Sequence, residues 1–81
     1  MTPVQMRMAR AALGLGVREL AEKAGVAANT VTRIENGADA KQSTIAALRA
    51  ALEKAGVEFI DEDGGGPGVR LKLKKSKGKR K

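Results

Sequence analysis

The sequence predicts a mainly α protein: four helices, then a short C-terminal β-hairpin and a disordered basic tail. Three observations predict it. Apolar residues recur at helical spacing from Met6 to Ala55, punctuated by Gly14, Gly16, Gly25, Gly37 and Gly56. Past Gly56 the pattern changes to short β-like runs around a Gly-rich segment, DEDGGGPG at Asp61–Gly68. From Lys74 to Lys81, KKSKGKRK holds no apolar residue, a composition that stays disordered until it meets an anion.

The first helix begins at Thr2-Pro3-Val4-Gln5, where Thr2 caps, Pro3 suits the first helical position and Gln5 sits where a capping-box residue reaches back. Met6, Ala9 and Leu13 form its inner stripe, and Gly14 and Gly16 end it. A second helix is expected from Val17 to Ala24, with Leu20, Ala21 and Ala24 inward, Gly16 as a weak cap and Gly25 as the stop. The third runs through Ala28–Glu35. Val31 and Ile34 face inward, Asn29, Thr32 and Arg33 lie mostly on the other side, and Gly37 supplies a left-handed stop. After the loop Ala38–Gln42, Ser43-Thr44 opens a fourth helix with Ile45, Leu48, Leu52 and Ala55 inward and Gly56 at its end. Val57–Ile60 and Val69–Leu73 read as strands, the second with clean alternation. A lone hairpin is marginal in water, so this one is expected to pack on the helices or on another subunit. The resulting organisation is residues 1–56, a hairpin at 57–73 that is a candidate dimerisation element, and a tail at 74–81.

Composition excludes several function classes. At 81 residues the chain makes one domain with a small core. Phe59 is its one aromatic residue, too few for a base-stacking platform of the single-strand type. The absence of Cys and His removes thiol chemistry, the usual zinc sites and imidazole catalysis, so no metal and no cofactor is expected. Stability must come from packing, helped by a partner subunit. Arg7 and Arg10 interrupt the N-terminal apolar pattern, so it is no secretory signal, and no apolar run suffices for a membrane span. A cytoplasmic location is expected. Residues 1–56 carry a formal charge of +3, residues 57–69 carry −4 and residues 70–81 carry +8. A mildly basic body with a strongly basic tail points to a polyanion, and nucleic acid is the leading candidate over a membrane surface.

Two short helices joined by a tight Gly turn, the second studded with Asn, Thr and Arg, suit a major groove. The stretch LGLGVRELAEKAGVAANTVTRIENG, Leu13–Gly37, resembles the helix-turn-helix core of the phage repressor/Cro (XRE-like) family of transcriptional regulators. The likeness covers both helices, Ala21, Gly25, the Val/Ile packing positions and the closing Glu-Asn-Gly, and the flanking helices extend it over about Met1–Gly56. It implies a lambda-repressor-like four-helix domain in a protein that is prokaryotic or phage-encoded.

The resemblance also implies roles. Bases would be read from Ala28, Asn29, Thr30, Thr32 and Arg33, with Ala27 alongside. Side-chain chemistry supports part of this independently: Arg can donate two bonds to guanine, Asn can bridge adenine, and Ala or Thr methyls can meet the methyl of thymine. Helix-start chemistry is a competing account of Asn29 and Thr30, and a solvated surface position one of Arg33. Phosphates would be held through Val17, Arg18, Asn36, Lys41 and Ser43. The sequence departs from the family pattern at Val17, often Gln, which can offer only its N–H, and at Ala27, often Ser or Thr. Arg10 and Glu35 match positions that pair in the family, and are expected to form an ion pair bracing the third helix.

Two other motifs carry no chemistry. GGGPG lacks the Lys-Ser/Thr and helix of a nucleotide-binding loop, and Asp61, Glu62 and Asp63 lack the spacing and closing Glu of a calcium loop. No nucleophile–base pair can be assembled, so the chain is not expected to be an enzyme. The expectation is a sequence-specific double-stranded DNA-binding regulator, a repressor acting as a homodimer on a palindromic operator. The alternatives are an antitoxin or adaptor binding a protein partner such as a toxin, and a non-specific binder working through its tail.

Overall fold

The computed structural model describes residues 1–60 and 65–72. Within them, four helices are followed by a two-stranded antiparallel sheet: α1 (Pro3–Leu13), α2 (Val17–Ala24), α3 (Ala28–Glu35), α4 (Gln42–Ala55), β1 (Val57–Ile60) and β2 (Gly68–Leu71). The basic run 74–81, Leu73 and the acids at 61–63 lie outside the described residues.

Local chemistry sets the helix ends. At α1 the Thr2 hydroxyl accepts from the Gln5 N–H at 3.1 Å while the Thr2 N–H donates to Gln5 Oε1 at 2.9 Å, a reciprocal capping box. Gly14 leaves the helix in the left-handed region at φ 69°, and the Leu15 N–H closes on the Arg10 carbonyl at 2.9 Å. Gly16, which has no side chain to cap α2, instead donates its N–H to Glu19 Oε1 at 2.8 Å. Helix α3 starts on Ala27 without a side-chain cap: the Thr30 N–H donates to the Ala27 carbonyl at 3.0 Å, and neither the Asn29 nor the Thr30 side chain caps the helix. Helix α4 begins one residue before Ser43: Lys41, extended at φ −64°, ψ 148°, occupies the cap, which places Ser43 inside the first turn.

The core draws on every helix and on β1: Met6, Leu20, Val31, Leu48, Leu52 and Val57 are fully buried, with Ala9, Ala21, Ile34 and Phe59 beside them. Leu13, Ala24, Ile45 and Ala55, expected inward, are half-buried at the margin. The hairpin contributes to this core. Val57 pairs with Leu71 and Phe59 with Val69, while on the solvent face Glu58 and Arg70 form a cross-strand ion pair at 3.0 Å. Arg49 of α4, bonded to Glu53, stacks its guanidinium 5.2 Å from the centroid of Phe59.

Among the described residues the second strand spans Gly68–Leu71, starting one residue before the expected Val69; Leu73, its expected end, lies outside them. Its alternation does not deliver Leu71 to the core: Leu71 remains 50% exposed although its partner Val57 is fully buried. Both strands are edges of a two-stranded sheet, so the difference comes from the helices: β1 packs against both α4 and α1, whereas β2 packs chiefly against α1. Gln5 fastens the other end of the hairpin to α1, its buried Nε2 donating to the carbonyls of Ile60 and Gly68 at 3.1 and 3.0 Å. With Oε1 occupied by the Thr2 N–H, this buried amide uses both donors and its acceptor.

Candidate nucleic-acid interface

Helix α3 turns Val31, Ile34 and Glu35 into the protein and leaves Asn29, Thr32, Arg33 and Asn36 exposed. The exposed positions follow the i, i+3, i+4, i+7 rule, so they form one stripe of donors and acceptors along the helix. Among the described residues no side-chain hydrogen bond or ion pair engages Asn29, Thr32 or Arg33. Ala28 and Thr30 are half-buried; Ala28 packs against the core, and Thr30 lines a cleft between α3 and α4. The structure therefore brings three of the expected base-reading residues onto one open stripe and sets two at its edge.

That cleft, about 240 Å³, is also lined by Arg33, Asp39, Lys41 and Thr44. Lys41 and Ser43 are exposed at the start of α4, whose first N–H groups have no side-chain cap. At α2, Arg18 is exposed and Val17 is half-buried against the core; with an aliphatic side chain, Val17 has only its backbone N–H as a donor. Val17 and Arg18 thus stand at the start of α2, and Lys41 and Ser43 at the start of α4, both ends where partial positive charge accumulates.

Arg10 and Glu35 join α1 to the end of α3. Arg10 Nε and Nη2 each donate to a different carboxylate oxygen of Glu35 at 2.9 Å, a bidentate pair, and Nη1 reaches the Leu15 carbonyl at 3.3 Å. Glu35 is 7% exposed and Arg10 24% exposed. The hydrogen bond to Glu35 holds the Arg10 guanidinium above its already high ordinary value, with burial opposing it and the carboxylate charge adding to it. Arg7, three residues earlier on α1, was not singled out by its sequence context. Its Nη2 donates to the Glu35 carbonyl at 2.9 Å and to Asn36 Oδ1 at 3.0 Å. The available signal was the i, i+3 spacing of two arginines on one helix face.

A family model described as a helix-turn-helix domain matches residues 4–58. The chain belongs to the helix-turn-helix domain family, of the XRE-like repressor/Cro type. This is a family of DNA-binding, non-enzymatic domains. In this helix-turn-helix protein α2 and α3 form the motif, and the matched span takes in α4 and the first two residues of β1. No curated protein matches the chain. Among the described residues no helix is long and apolar enough to cross a membrane, and no group of three or more carboxylates gathers as metal ligands would.

Proposed function

We infer that the protein is a sequence-specific transcriptional repressor that binds a palindromic duplex operator as a homodimer, inserting α3 into the major groove. The observation that carries this reading is the stripe of Asn29, Thr32 and Arg33, exposed and, among the described residues, engaged by no side-chain hydrogen bond or ion pair. A polar stripe on a short helix braced from behind by a bidentate ion pair is what base reading requires: donors and acceptors free for a ligand, on a support that holds their geometry. Arg33 supplies the fork for guanine and Asn29 the amide for adenine. Thr32 and the methyls of Ala28 and Thr30 meet neighbouring bases. Val17, through its N–H, with Arg18, Asn36, Lys41 and Ser43 hold phosphates on either side and fix the register.

Dimerisation follows from reach. One recognition helix covers few base pairs, and paired half-sites one helical turn apart are the usual solution. The hairpin supplies a surface for it. The Lys72 N–H donates to the Gly56 carbonyl at 2.8 Å, while the Gly56 N–H donates to Glu53 at the end of α4, so Gly56 and Lys72 face each other through one bond. By alternation, the N–H and C=O groups of Val69 and Leu71 point away from β1, along an open edge.

Selection from a pool of random duplexes with the full-length protein tests the reading. Enrichment of one palindrome, with two half-sites about 10 base pairs apart centre to centre, is expected. Recovery of a single unrepeated half-site would refute the dimer, and no enrichment at all would refute sequence-specific binding.

A further inference from the structure

We propose that Arg7 is a positioning residue for DNA binding: it fixes the Asn36 side chain so that the amide presents its donor, not its acceptor, to a backbone phosphate. The inference rests on Asn36 being a phosphate contact, as proposed above. A phosphate oxygen only accepts hydrogen bonds, so an asparagine that grips it must offer Nδ2. Free on a surface, the amide turns about its last torsion and presents either atom to solvent.

Arg7 removes that freedom. Its guanidinium is a donor without any acceptor, so the group facing Nη2 at 3.0 Å must be the Oδ1 of Asn36. With Oδ1 committed, Nδ2 lies on the other side of the carboxamide plane's axis, away from α1. The same Nη2 holds the Glu35 carbonyl at 2.9 Å, one of the last carbonyls of α3 that no helical N–H satisfies. A cation at this end is also favoured by the helix dipole. Arg7 Nε sits 3.8 Å from Glu35 Oε1, so the guanidinium is oriented by the carboxylate that Arg10 grips. At 53% exposure Arg7 is no core anchor, and its geometry comes from these three oxygens.

A double-mutant cycle on the full chain tests this. Affinity for a mixed-sequence duplex is measured at several salt concentrations for wild type, Arg7→Met, Asn36→Ala and the double variant, with the melting temperature of each. Each single change is expected to weaken binding about fivefold, and the double variant to be no weaker than Asn36→Ala alone. In the free protein, the two side-chain amide protons of Asn36 are expected to move in Arg7→Met toward the shifts of a freely rotating asparagine side chain, remaining distinct because the amide C–N bond does not rotate. Equal losses from Arg7→Met in both backgrounds would overturn the proposal and leave Arg7 an independent cation. No loss from Asn36→Ala would overturn the phosphate assignment itself, and the proposal with it. Should Arg7→Met melt near the assay temperature, Arg7→Gln replaces it in the cycle.

Discussion

At the scale of single residues, Arg10 and Glu35 show how a charge can be buried in so small a protein. Both oxygens of the carboxylate are taken by one planar guanidinium, and the remaining Arg10 nitrogen finds the Leu15 carbonyl, so little hydrogen-bonding capacity is left idle. Glu35→Gln keeps the shape but leaves Arg10 without its counter-charge. Breaking a buried pair costs about 3–5 kcal/mol, and with Arg10 a quarter exposed a loss of about 2–3 kcal/mol is expected. Urea unfolding measures it, and a change within about 0.5 kcal/mol would show the pair to be incidental. The pairing could be anticipated because both residues match a family pattern. The Arg7 contacts were signalled only by its i, i+3 spacing from Arg10, because a half-exposed arginine 29 positions from Asn36 otherwise reads like any solvated surface charge. The half-buried state of Ala28 and Thr30 was hidden for a similar reason: helical phase places them at the edge of the stripe, and only the packing of α3 decides which edge is covered.

Among the elements, the helices were legible because their signals are local: a Thr-Pro start, Gly stops and apolar spacing each act within a turn or two. The hairpin was legible as two runs around a Gly-rich turn, but its attachment was not. Gln5 reads in sequence as half of a capping box, whereas its bonds to Ile60 and Gly68 span 55 and 63 residues. One amide therefore couples the start of α1 to the far end of the hairpin. Gln5→Leu fills the volume but removes the reach-back bond and both bonds to the hairpin. With a typical cap loss of about 1 kcal/mol and similar net values for hydrogen bonds, a cost of about 2–3 kcal/mol is expected. Hydrogen exchange locates the effect: the Ile60 and Gly68 amides should lose protection well before those of α4. Uniform loss across the chain would mean that the hairpin has no separate local opening and that Gln5 acts on global stability alone.

For the molecule as a whole, charge and symmetry make separate predictions. The segment 74–81 adds six bases to a mildly basic body, and if it lies against phosphates its deletion should flatten the salt dependence of binding, since the logarithmic slope scales with about 0.9 per phosphate neutralised. The preferred operator should be unchanged; an unaltered slope would exclude the tail from the interface. The dimer needs a gentler probe than truncation. Ending the chain at Gly56 would remove Val57 and Phe59 from the core, so failure to dimerise would report unfolding rather than a lost interface. Leu71→Lys leaves those residues in place and alters only a half-exposed end of β2, where an edge lysine opposes strand addition. Val69→Pro goes further: the Val69 N–H faces away from β1, so its loss spares the hairpin's own ladder while deleting a donor from the open edge. Sedimentation equilibrium on the two variants, with melting temperatures recorded in dilute solution, separates the effects. If the hairpin edge joins two copies, both variants become monomeric and bind single half-sites more weakly than wild type binds the palindrome. Dimers that persist in both would move the two-fold axis off β2 and onto another face of the helical body.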